Sequence, residues 1–115
     1  MYERKQVKQI IDRLKEPRKF IQVVLGPRQV GKTTAIHQVM DRLSCETHYA
    51  AADLPAPPQA GWITEQWETA RIKAAQKRVV LVLDEIQKID HWSDEVKRLW
   101  DEDTRRATDI SLVIL

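Results

Sequence analysis

Cysteine and phenylalanine each occur once in this 115-residue chain and glycine only three times. The lone Cys45 has no second thiol for an internal disulfide, and no paired Cys/His spacing marks a zinc site. Its place reads as that of an ordinary small residue at a helix end. The longest apolar run, Val79 to Leu83, is far short of the ~20 residues that a membrane-spanning helix needs, so no membrane span is expected. No apolar signal core follows Tyr2-Glu3-Arg4-Lys5, and a cytoplasmic location is the expectation. Repeats and low-complexity segments are also missing. With 43% hydrophobic and 31% charged residues, the composition is that of a globular chain with one core and one domain at most.

Charge is nearly balanced at +2 overall, but residues 1–19 hold seven Lys/Arg against three Asp/Glu, a local +4. A basic helix of this kind can meet nucleic acid or an acidic partner. A solvated helix face is the more ordinary meaning of such a stretch.

Two of the three glycines fall in Gly26-Pro27-Arg28-Gln29-Val30-Gly31-Lys32-Thr33, which reads G-x-x-x-x-G-K-T directly after the apolar segment Ile21 to Leu25. At average residue usage this pattern arises by chance in roughly 0.5% of chains this long, and the preceding strand together with the acidic pair Asp84-Glu85 makes coincidence rarer still. A loop of this type presents successive backbone N–H groups at a helix N-terminus, where unpaired donors and the helix dipole both favour phosphate. Gly26 and Gly31 allow the backbone itself to approach the ligand. Lys32 is then placed to reach β- and γ-phosphates, and the Thr33 hydroxyl to ligate a bridging Mg²⁺. The expected ligand is a nucleoside triphosphate.

Along the chain, Val7, Ile10, Ile11 and Leu14 recur at helical spacing and predict an amphipathic helix ending before Pro17. Phe20 to Leu25 is the first expected strand, and Ala35, Ile36, Val39, Met40 and Leu43 form one face of the helix that Lys32 and Thr33 open. His48 to Ala52 reads as a short second strand, ended by Asp53 and followed by the turn-rich segment Leu54 to Gly61. A helix starting at Trp62 or Ile63 carries Ile63, Trp67, Ala70 and Ala74 on one face. Val79 to Leu83 is too uniformly apolar for an edge and predicts a central parallel strand. The next helix places Trp92, Val96, Leu99, Trp100 and Asp103 on one face, with Asp94–Arg98, Asp101–Arg105 and Glu102–Arg106 as i, i+4 pairs. Trp67, Trp92 and Trp100 sit on apolar stripes, which assigns them to core packing rather than to stacking on bases. Ile110 to Leu115 is the final strand. Alternation of strand and helix implies crossover connections and a parallel sheet covered on both faces, with the ligand site outside the carboxyl ends of the strands.

Asp84-Glu85 follows the apolar strand and supplies the acidic half of a phosphoryl-transfer site. Asp84 is suited to hold a water of the Mg²⁺ shell or the Thr33 hydroxyl. Glu85 is suited to orient or deprotonate the water that attacks the γ-phosphate. Lys32 and Glu85 are thus the candidate catalytic residues, and Thr33 and Asp84 the candidate metal-site residues. No N-K-x-D motif occurs, which argues against a guanine-specific switch. Asp53 ends a strand on the same edge, as a second water-contacting carboxylate or as a loop cap.

The combination Gly-Pro-Arg-Gln-Val-Gly-Lys-Thr-Thr (26–34), Leu-Asp-Glu-Ile-Gln-Lys-Ile (83–89) and Trp92 resembles the prokaryotic AAA-type ATPases that join an N-terminal P-loop domain to a C-terminal domain of uncharacterised role. The likeness covers about residues 7–115. It implies that Gly26 to Thr34, Thr34 included, is the Walker A loop and Asp84-Glu85 the Walker B pair. It also implies a three-layer α/β P-loop NTPase fold of the AAA/ASCE type, in which the last strand inserts beside the first to give the order 2-3-4-1. Members continue past that strand into a polar sensor, further elements and arginine-finger positions. Residues 1–115 are therefore expected to be a partial ATPase domain, with 1–17 its basic N-terminal helix.

The expected function is Mg²⁺–ATP binding, with hydrolysis slow or lacking in this length of chain and coupled to events in a longer one. The partners expected are nucleotide and either the remainder of a longer chain or another protein, with an oligomer compatible with the fold. A non-catalytic nucleotide-binding or partner-interaction module is the competing class. A DNA-directed ATPase is a third reading, resting on the basic segment and the analogy of the fold. Tyr2 and Arg4 are the residues that would lie near an adenine.

Overall fold

The computed structural model describes residues 4–15, 21–23, 32–52, 59–75 and 77–115, with the side chains of residues 4–7, 32, 33 and 60 outside that description. Tyr2, Phe20, Val24, Leu25, the loop 26–31, Asp53 and residues 54–58 of the turn-rich segment also lie outside it. The elements are α1 (Arg4–Lys15), β1 (Gln22–Val23), α2 (Lys32–Arg42), β2 (Glu46–Ala51), α3 (Ala60–Ala74), β3 (Val79–Asp84), a short 3₁₀ turn (Ile86–Lys88), α4 (Trp92–Arg106) and β4 (Ile110–Ile114).

All four strands are parallel and lie in the order β1-β4-β3-β2. Read from the β2 edge this is 2-3-4-1, with β4 between β1 and β3. Extents differ in detail from the sequence reading: β2 starts at Glu46 rather than His48, and β1 is described for only two residues.

Crossover handedness explains the layers. The steps β2→α3→β3 and β3→α4→β4 advance toward β1, whereas β1→α2→β2 runs the opposite way across the sheet. A right-handed connection in each case puts α2 on one face and α3 with α4 on the other. The cores follow this division. Val79, Leu81 and Leu83 of β3 pack with Ile110, Leu112 and Ile114 of β4 and with Ile63, Trp67, Ala70, Val96 and Leu99 of the α3/α4 layer. Val80, Val82 and Val113 face Ala35, Ile36 and Val39 of α2, over which α1 lays Ile11 and Leu14. Every residue of β3 is buried, as its apolar run predicts for a central strand. Cys45 and Tyr49 are partly buried against the α2 core.

Helix α3 begins at Ala60, ahead of the expected start at Trp62 or Ile63. Gly61 lowers the local helix propensity, but in a first turn its N–H needs no intrahelical acceptor, and Trp62 N–H donates to the Gln59 carbonyl at 2.9 Å. The four tryptophans belong to the core: Trp67 is fully buried, and Trp62, Trp92 and Trp100 pack against the same cluster.

The α3/α4 layer is locked by a residue whose role the helical stripe only hinted at. Asp103 is fully buried and accepts hydrogen bonds from Trp67 Nε1 at 2.6 Å and Arg71 Nε at 2.8 Å. Arg71 also donates to Glu68 at 2.6 Å, to Glu102 at 3.2 Å and to the Leu99 carbonyl at 3.2 Å. Burial works against the Arg71 charge, yet Asp103 and Glu68 outweigh it and raise its pKa above the ordinary value. On the outer face Arg98 pairs with Glu95 and, at 2.8 Å, with Glu102, not with Asp94 as its i, i+4 spacing suggested.

Removing Asp103 leaves the buried Trp67 indole N–H without its acceptor and takes one of three carboxylates from Arg71, which keeps Glu68 and Glu102. Asp103→Ala is expected to destabilise the fold by about 1–3 kcal/mol, the cost of a buried donor left without its partner, read by urea denaturation. A gentler effect comes from Glu102. Desolvation would raise its pKa, but the hydrogen bond from Arg71 and the charges of Arg71, Arg98 and Arg106 hold it below the usual carboxylate value. A depressed folded-state pKa contributes stability that is present above the unfolded value of about 4.3 and is lost as pH falls through the folded one. Glu102→Gln should therefore lose less stability than the parent on acidification below about pH 4.3, in parallel melts across that window.

Candidate functional site

Of the candidate residues, the structure describes the backbone of Lys32 and Thr33 at the start of α2, Thr34, and Asp84 with Glu85 at the end of β3. Walker-type residues Gly26, Pro27, Arg28, Gln29, Val30 and Gly31 lie outside the described residues, between β1 and α2 in the chain. Lys32 and Thr33 are the first two residues of α2, their side chains outside the description, and Thr34 is exposed. Strand β4 separates β1 from β3, so at the usual strand spacing the ends of β1 and β3 stand about 10 Å apart.

Asp84 is the last residue of β3 and only 4% exposed. Alternation along the strand fixes its direction: Val80 and Val82 face α2, so Asp84 faces the same side. There Tyr49 Oη donates to Asp84 Oδ2 at 2.6 Å. The bond follows from register. Tyr49 is opposite Val82 and Ala51 is opposite Asp84, so Tyr49 is the diagonal neighbour of Asp84, and the small Ala51 leaves room for its ring to lean across. The Tyr49 ring also meets His37 of α2, with centroids 4.7 Å apart. Sequence reasoning assigned neither Tyr49 nor His37 to the site. An aromatic residue on the α2-facing parity of β2, two positions short of the strand end, was the available signal.

Glu85 turns the chain out of the sheet. Its backbone is left-handed, at φ 63° and ψ 22°, a conformation that costs a non-glycine residue on the order of 1–3 kcal/mol. The turn that results lets Ile86 and Ile89 re-enter the α3/α4 core. Glu85 itself is 7% exposed, receives a 3.3 Å hydrogen bond from Gln87 Nε2 and lies 3.7 Å from Lys88 Nζ. Asp84 and Glu85 are thus adjacent in sequence but differ in setting, one facing the helix with the glycine-rich loop, the other held at a tight turn.

Among the described residues no group of three or more His, Cys, Asp and Glu could hold a metal with protein ligands alone. One buried carboxylate facing the side of a helix that starts with Lys-Thr-Thr suits a hard cation that keeps water and phosphate oxygens as its remaining ligands, which is the habit of Mg²⁺. A separate shallow concavity, lined by Glu46, Ile72, Lys73, Ala75 and Lys77, involves the amino end of β2 and has no part in this arrangement. No described helix is long and apolar enough to cross a membrane.

Compared with curated proteins, the chain finds no match. Compared with protein families, it matches the AAA domain over residues 18–113, a span that runs from just before β1 into β4 and includes the glycine-rich loop and the Asp84-Glu85 pair. With most of its length matched, and with a parallel sheet flanked by helices as a P-loop NTPase requires, the chain belongs to the AAA domain family, whose function is of the nucleotide-binding, ATPase type.

Proposed function

We propose that this chain is part of an ATPase: it binds ATP with Mg²⁺, and at this length turns it over slowly at most. The observation that carries the reading is the buried Asp84 carboxylate at the carboxyl end of the central strand, on the face occupied by α2. In this reading the backbone of residues 26–34 cradles the phosphates, Lys32 neutralises charge on the β- and γ-oxygens, and Thr33 with Asp84 holds Mg²⁺ directly or through water. The ion would supply charge neutralisation across the phosphate oxygens. Glu85, one residue beyond Asp84, would hold the attacking water and take its proton.

A carboxylate in the position of Glu85 favours hydrolysis over binding alone, because a module that only holds nucleotide has no task for a general base there.

Titration with a fluorescent ATP analogue and a phosphate-release assay test the two halves separately. Lys32→Ala should weaken binding about 100-fold or more, the loss expected when charge-assisted contacts to phosphate are removed. Glu85→Gln should leave the analogue's affinity near that of the parent and remove the residual phosphate release that the parent shows. Unchanged affinity in Lys32→Ala would overturn the loop assignment, and undiminished release in Glu85→Gln would overturn the role of Glu85.

A further inference from the structure

The Tyr49–Asp84 bond has consequences beyond packing. A 2.6 Å hydrogen bond from a phenol to a carboxylate is short and charge-assisted, and it joins residues 35 apart in sequence on neighbouring strands. Tyr49 is itself held: its ring packs against His37, one helical turn beyond Thr33 on α2, and it belongs to the α2-facing core. The phenol therefore connects the helix that follows the glycine-rich loop to the carboxylate at the end of β3.

Asp84 has one rotatable bond that decides where its two oxygens point and a second that rotates the carboxylate plane. An aspartate free to turn at a strand end would have to be ordered each time a cation arrived. A donor fixed on Oδ2 removes that freedom beforehand, and it does not exhaust the carboxylate, which offers about four lone-pair sites. Groups that bind hard cations gain from being held in place by hydrogen-bonding partners around them, and removing such a partner typically costs about 10–100-fold in metal affinity.

We infer that Tyr49 is a positioning residue for the divalent cation: through its hydrogen bond to Asp84 it sets the carboxylate that receives Mg²⁺ with the nucleotide. The inference rests on the Mg²⁺–ATP reading above. It concerns the metal alone, so its signature is a change in metal dependence rather than in nucleotide affinity as such.

The experiment is a titration of the purified protein with a fluorescent ATP analogue, first in EDTA and then across a Mg²⁺ series, for the parent, Tyr49→Phe, Asp84→Asn and the double variant. Tyr49→Phe keeps the ring, its contact with His37 and its share of the core while deleting the donor. The Mg²⁺ concentration for half-maximal enhancement of binding should rise about tenfold in Tyr49→Phe, the lower end of the loss on removing such a partner. Affinity in EDTA should stay within about twofold, as for a change independent of the phosphate contacts. In the Asp84→Asn background, Tyr49→Phe should add nothing further.

Damage to packing alone would weaken binding equally with and without metal, and would persist in the Asp84→Asn background. Either result, or an unshifted Mg²⁺ midpoint in Tyr49→Phe, overturns the role assigned to Tyr49 while leaving the Mg²⁺–ATP reading in place. A parent protein whose binding of the analogue does not respond to Mg²⁺ overturns both.

Discussion

Strand β3 is hydrogen-bonded to β2 on one side and β4 on the other and is buried on both faces, so its side chains are divided by parity between two separate cores. Val79, Leu81 and Leu83 serve the layer of α3 and α4; Val80, Val82 and Asp84 serve the layer of α2. Slipping the register by a single residue would exchange the two sets and send the carboxylate away from the helix that follows the glycine-rich loop. The apolar residues thus do more than stabilise the sheet. They make the direction of Asp84 a consequence of where five neighbouring side chains are content to be buried.

The two layers are held by different physics. Over α2 the described core is the apolar set Ile11, Leu14, Ala35, Ile36 and Val39, with the Tyr49–Asp84 bond beside it. Between α3 and α4 the buried Asp103 adds directional bonds to Trp67 and Arg71. Such a network need not add net stability, since a well-packed apolar replacement of the whole set can do as well or better. What directional bonds contribute is a specific pairing: the indole and the guanidinium of α3 both meet the one carboxylate of α4. The same Asp103 accepts the Thr108 N–H on its carbonyl at 3.0 Å, which ends α4 and aims the chain into β4.

Much of this was legible in the sequence. The run Val79 to Leu83 announced a central strand, helical spacing picked out Ile11, Leu14, Ile36, Val39, Trp67, Val96 and Leu99 as buried, and the parallel alternation followed from strand–helix order. Local signals were less reliable where a long-range contact decided the outcome. The spacing of Asp94 and Arg98 suggested a pair, but Glu95 and Glu102 took that guanidinium. Asp103 was visible as a charge on an apolar stripe, yet its partners came from a helix about thirty residues earlier. Tyr49 met Asp84 only because β2 and β3 pair in one register, which no periodicity within either strand reveals. For the candidate site, the glycine-rich loop and acidic pair were plain as motifs, while the hydrogen-bonded surroundings of Asp84 and the left-handed turn at Glu85 required the fold.

On the role proposed for Glu85, that turn sets stability and chemistry at odds over a single codon. With φ at 63°, position 85 is one where glycine or asparagine would relieve backbone strain, and where a sequence drifting under selection for folding alone would move toward them. A side chain that ends in a buried carboxylate is the opposite choice, adding desolvation to strain. Variants of this protein enriched solely for thermal resistance would therefore tend to discard Glu85, and with it the general base that the proposal assigns there.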